Sequence, residues 1–281
     1  MGKGQLNAPE QPQRATQMLI LNSQQTQQLH AEVNAELSVS ASDWLQQQLR
    51  HITEAQAKSE VLLLASAQTR RQLGNCSVRS FLPGDWTLTQ LARVLLLAQA
   101  LHTHPLSERE QLFRQVFRSS DDDEKICWLK ALSFFDANGL VLDLALQAGR
   151  TNNSLVFSAI ALSNNYPAHH YEPHAFHQLV LKALFMDLDI RAIAGLKERL
   201  DKDLSRLAFE LVAERLAAGR NPPATIAFAI LFVHLDNRQR QLISQFLTSS
   251  THQHFWRQAA QQQGVDQLPL FQFTQQGPDL C

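Results

Sequence analysis

His174, Gln178 and Lys182 follow Pro173 at four-residue steps. On a helix that spacing puts an imidazole, an amide and an ammonium on one face, while Phe176, Leu179, Val180, Ala183 and Leu184 make up the apolar face. A lysine so placed offers a point charge to a phosphate or carboxylate, and the glutamine amide can fix a ligand's orientation. A Schiff-base role would need a depressed lysine pKa, for which the sequence holds no signal. The competing reading is an ordinary surface helix with one polar side.

His169, His170, His174 and His177 surround Glu172 and raise the question of a metal. His170 would share a helical face with His174 only if the helix began before Pro173, and a proline there reads as a first turn. No His-Glu-x-x-His motif occurs, so no metal is expected and the histidines read as solvated or hydrogen-bonded. No Gly-x-Ser-x-Gly elbow and no phosphate-cradling glycine loop is present in a chain with 10 glycines, so neither nucleophilic hydrolysis nor a nucleotide cofactor is indicated.

Other candidates lie around the stripe. Asp203, Arg206, Glu210 and Glu214 have helical spacing and are flanked by Arg199, Arg215 and Arg220. They read either as surface ion pairs, each worth roughly a few tenths of a kcal/mol, or as the source of a guanidinium (Arg199, Arg206 or Arg215) that faces Lys182 and completes an anion site. Arg150 and Asn152 divide between helix capping and lining the same cleft. Asn164 and Tyr166 are counted with the ligand-binding candidates, although with Pro167 they most simply make a tight turn.

The elements that must position these residues are helical. Apolar residues recur at intervals of three and four, and no segment alternates long enough for a sheet. The fold class expected is all-α, an irregular α-solenoid-like stack of antiparallel helices without a fixed repeat. Helical segments are expected over residues 23–51, 54–73, 88–97, 140–148, 153–162, 173–186, 201–218, 222–235, 236–248 and 252–262. Thr87 reads as an N-cap, Ser107 with Glu110 as a capping box, and Asp121 to Glu124 as a helix start and not a cation site. Asn138-Gly139 reads as the end of the helix that begins there. Residues 1–22, polar and carrying Pro9 and Pro12, read as a disordered leader, and residues 23–281 as a single domain.

Composition narrows the class further. With 44% hydrophobic residues over 281, the chain can bury a large core. Lys and Arg total 25 against 26 Asp and Glu, a net charge of -1 that provides no field for nucleic acid. Cys76, Cys127 and Cys281 are too far apart for a disulfide framework or a zinc set and suit a reduced, cytoplasmic compartment. The longest apolar run, residues 224–233, is far short of the roughly 20 needed to span a bilayer and reads as a buried core helix.

Several pieces in order resemble the EboA family over residues 86–220. Trp86 to Arg93 with Leu95, Leu96 and Leu97 resembles its tryptophan-led helix, and Arg150-Thr151-Asn152 its Arg-Thr-Asn turn. Asn164 to Phe185 resembles its Asn-x-Tyr-Pro-Ala segment and the Gln and Lys helix that follows. Ile193 to Leu196, Arg199, and Glu214 to Arg220 resemble its later elements. His177, Leu211 and Leu216 depart from the family pattern, marking a diverged member. The resemblance implies a gene cluster that assembles or exports a prenylated, cyclitol-like metabolite. It also implies partners among that cluster's enzymes, a membrane prenyltransferase included, and leaves the step open. Three functions stand: an accessory protein that binds an intermediate or partner enzyme, a transferase or isomerase acting on an anionic small molecule, or a helical scaffold.

Overall fold

The computed structural model describes Leu19 and residues 22–54 and 58–265. The leader, apart from Leu19 and Asn22, and Cys281 lie outside these residues. Among the described residues the regular structure is fifteen α-helices, four 3₁₀ turns and one two-stranded ribbon, so the fold is all-α.

The centre is a helix with no polar face. In α4 (Leu88–Thr103) twelve of 16 residues are buried, and the helix is packed against α1 (Ser23–Ala35), α2 (Val39–Glu54), α3 (Ser59–Leu73), α5 (Arg109–Ser119) and α6 (Asp122–Lys130). Thr87 is the N-cap and Asp121 starts α6, as expected; each also closes a reciprocal capping box, with Gln90 and with Glu124, that goes beyond the expectation. Just before α4 a short ribbon pairs β1 (Ser77–Val78) with β2 (Trp86–Thr87).

Three local expectations fail for physical reasons. The stretch 23–51 is two helices, because the chain leaves α1 at Glu36 and the Ser38 hydroxyl accepts from the Ala41 N–H at 3.3 Å to start α2. Ser107 caps nothing: Leu106–Glu108 is a 3₁₀ turn, held where Arg109 donates to the carbonyls of His104 and Leu19 at 3.2 and 3.0 Å. Residues 222–235 are mostly buried, Val233 and His234 excepted, but form two 3₁₀ turns, Ile226–Ala229 and Phe232–His234, and no α-helix. Side chains intercept their backbone. Ser205 Oγ accepts from the Leu231 N–H at 2.8 Å, and the Gln263 amide takes both the Phe232 N–H and the Ile230 carbonyl, at 3.1 and 2.7 Å.

The second half is a succession of shorter helices. After α7 (Leu132–Phe135) come α8 (Leu142–Ala148), α9 (Ser154–Ala161), α10 (Asn165–His170) and α11 (Pro173–Phe185). Then follow α12 (Leu196–Arg199), α13 (Lys202–Ala217), α14 (Asn237–Leu247) and α15 (Gln253–Gln262). Packing runs from α4 to α6, α9, α11 and α13, then through the turn at Ile226–Ala229 to α15. The helix begun at Asp122 breaks at Ala131 and stops at Asp136, earlier than Asn138-Gly139 predicts, because the Asp136 carboxyl turns back to accept from the N–H groups of Asn138 and Val141 at 3.3 and 2.9 Å.

Candidate functional site

Asn164 to Pro167, expected as a tight turn, instead open the helix α10, with the Asn164 side chain as its N-cap and Pro167 in the first turn, where a missing N–H costs nothing. The Asn164 amide also donates to the carbonyls of Leu129 and Ala159 at 2.8 and 2.9 Å, tying α6 to α9 from a buried position. Tyr166 is fully buried and donates to Asp136 Oδ2 at 2.7 Å; burial, and then that bond, push its phenol well above its ordinary range. Both side chains therefore hold the fold from within the core.

Two glycines let neighbouring segments close on α10. Gly139, at φ +76°, could not carry a Cβ without coming within 2.9 Å of His170 Nδ1; at Gly195, φ +73°, a Cβ would sit 2.7 Å from that of Ala168. Arg199 finishes the clamp: its guanidinium donates to the carbonyls of Pro167, Ala168 and Tyr171 at 2.9, 3.0 and 2.6 Å and stacks 4.3 Å from the Phe176 ring centre. It caps α10 and fixes Tyr171, and it does not face Lys182. Arg206 is bound to Glu210 at 2.7 Å and Asp203 at 4.0 Å on an exposed helix face, the surface ion-pair arrangement.

Five of the six remaining candidates converge, Arg215 excepted. Arg150, Asn152, His174, Gln178 and Lys182 line one groove of about 930 Å³ between the α8–α9 turn and α11, a size typical of small-molecule sites. Lys182 Nζ donates to the carbonyls of Gly149 and Thr151 at 2.9 and 2.6 Å and lies 4.9 Å from the Phe157 ring centre, joining the end of α8 to α11. Burial lowers its pKa, yet both carbonyls need its protons, so the geometry is that of an ammonium donor and not a nucleophilic amine. Arg150 is exposed, and among the described residues its side chain has no hydrogen-bond or ion-pair partner. The Gln178 and His174 side chains lie 3.3 Å apart.

Leu146, Leu179, Leu181, Phe185 and Met186 give the groove an apolar wall, and among the described residues no aspartate or glutamate lines it. Phe185 is 61% exposed, unusual for a phenylalanine, and Arg215 stacks 5.5 Å from its ring centre at the rim. The histidine cluster is dispersed: His177 meets Asp201 at 3.1 Å, His170 lies 4.5 Å from the Tyr166 ring, and His174 joins the groove. Among the described residues no three His, Cys, Asp or Glu side chains converge as a metal set.

A family model described as metabolite traffic protein EboA matches residues 25–230, which take in every residue that lines the groove. The chain belongs to the EboA family. A role in metabolite handling comes with that membership. No curated protein and no solved structure matches the chain. Of the EboA-like positions, Arg150, Asn152, Gln178 and Lys182 meet at the groove, whereas Asn164, Tyr166 and Arg199 build the frame behind it. Tyr171, Gly149, Phe185 and Met186 complete this EboA groove and were not singled out from the sequence. Tyr171 carried a weak signal, as the aromatic two residues ahead of Pro173.

Proposed function

We propose that this EboA chain handles a metabolite by holding an amphipathic, anionic small molecule in the groove, without transforming it. The observation that carries this reading is the lining itself, two cations and no carboxylate beside an apolar wall. An acidic head group would lie against Arg150 and Lys182, and an apolar chain along Leu181, Phe185 and Met186. Lys182, committed to two carbonyls, supplies field strength, and Arg150 supplies the open fork that suits carboxylate or phosphate. Such a molecule agrees with the prenylated, cyclitol-like intermediate that the EboA resemblance implies, handed between pathway enzymes in the cytoplasm.

The enzyme reading asks for Arg199, Arg206 or Arg215 beside Lys182; the first two are engaged elsewhere, and Arg215 stacks on Phe185 at the rim. The scaffold reading asks for one exposed apolar face, whereas Val39, Leu64, Leu106, Leu155, Phe185 and Val233 sit on six different elements. The test is calorimetric titration with decyl phosphate and, as an uncharged comparison, decyl glucoside, both below micelle formation. Decyl phosphate should bind at least about tenfold tighter, and Arg150→Glu should remove that preference while leaving the fold intact. Equal binding of the two, or binding indifferent to Arg150→Glu, contradicts the reading.

A further inference from the structure

Tyr171 ends α10 with its side chain turned to the groove, and it is only 6% exposed. Its hydroxyl is buried and, among the described residues, has no hydrogen-bond partner. A buried hydroxyl with an unused proton is uncommon because it gives up its bonds to water and recovers none. Its backbone is held firmly, the carbonyl accepting from Arg199 Nη2 at 2.6 Å, so the ring is not placed by accident of a loose loop.

The residue facing that hydroxyl is a glycine for which the fold gives no reason. Gly149 has φ -62° and ψ -16°, ordinary right-handed helical values open to any residue. A Cβ there would meet Leu146 O at 3.4 Å, Ala145 O at 3.6 Å and the Tyr171 hydroxyl oxygen at 3.8 Å, all normal contacts. What the missing methyl leaves is approach to Tyr171 Oη, beside the carbonyl that holds Lys182. Lys182, Arg150 and Tyr171 Oη thus surround one backbone turn.

We propose that Tyr171 is the specificity-determining donor of the groove. Its hydroxyl gives its unused hydrogen bond to an acidic oxygen, of a phosphate or a carboxylate, that enters over Gly149. This rests on the reading of the groove as an anionic ligand's site and adds to it the contact that selects the head group. The hydroxyl is covered in the unliganded protein, so the ligand must displace its cover and in return satisfies a donor that no other described residue satisfies.

The chain contains 2 tyrosines, which makes the test direct. With tyrosine labelled with carbon-13 at Cζ, NMR titration with decyl phosphate or with decanoate should shift the Tyr171 signal, and Tyr166, sealed against Asp136, should stay still as the internal reference. Whichever probe gives the larger shift and the tighter binding identifies the head group. Tyr171→Phe and Gly149→Ala should each weaken binding of that probe about tenfold, with melting temperatures equal to or above the wild type. The proposal is overturned if the probes bind in an Arg150-dependent way while the Tyr171 signal does not move and both variants bind within about twofold of wild type. Binding that is absent, or indifferent to Arg150→Glu, removes the groove reading and this inference with it.

Discussion

Replacing Tyr166 by phenylalanine isolates one buried hydrogen bond. The hydroxyl donates to Asp136 Oδ2 at 2.7 Å, and both residues are essentially closed to solvent, at 0% and 1% exposed. Removing the donor leaves the Asp136 carboxyl with its two backbone donors, Asn138 and Val141, so the loss is partial. A bond to an acidic group contributes roughly 1.5–3 kcal/mol, and the ring itself is unchanged, so the expected cost is about 2 kcal/mol. For a chain of this size that is a fall in Tm of roughly 4 °C or more. The assay is urea unfolding followed by circular dichroism, with an unchanged m-value showing that the same surface unfolds. Tyr171→Phe is the matched control: the same atom is deleted, but no bond is lost. A Tyr166→Phe loss below about 0.5 kcal/mol, or equal losses in the two variants, would refute the assignment of Tyr166 to the frame and of Tyr171 to the groove.

Three further outcomes follow from the same geometry. Asn164→Ala removes an N-cap and the amide donor to the carbonyls of Leu129 and Ala159, the first of which keeps the Ala131 N–H, and should cost about 3 kcal/mol in urea unfolding. Arg206→Ala breaks only exposed ion pairs and should change stability by less than about 0.5 kcal/mol by the same measurement. Burial lowers the pKa of His170 and of His102; the nearby Asp136 opposes the shift at His170, and Arg109 adds to it at His102. Between the depressed folded value and the ordinary value near 6.5 the unfolded chain holds more protons, so stability rises with pH through that window. Melting temperature should therefore fall on acidification below about pH 6.5, and His170→Gln should reduce the slope.

What the sequence disclosed was local. Thr87 and Asp121 read as helix starts because a cap depends on residues within one turn, and both do start helices, whereas the box read at Ser107 and Glu110 does not form. The stripe of His174, Gln178 and Lys182 was legible because one helix presents it, and the groove lies on that face. Arg199 was found as a residue of interest but not in its role, since its partners are backbone carbonyls about thirty residues earlier that no side-chain pattern encodes. The segment 222–235 misled because an apolar run reports burial without reporting which groups satisfy its backbone, and here Ser205 and Gln263 do so from distant helices. Tyr171 was overlooked because its distinguishing property is the lack of a partner, which only the packed fold reveals.

The groove around Arg150 and Lys182 is proposed to carry a small anionic metabolite. Native mass spectrometry of freshly purified protein, set against its denatured mass, tests it most directly. A stoichiometric organic acid retained by the wild type and absent from correctly folded Arg150→Glu is the predicted result. A wild-type mass equal to that of the bare chain, with no uptake of added decyl phosphate, would contradict the claim.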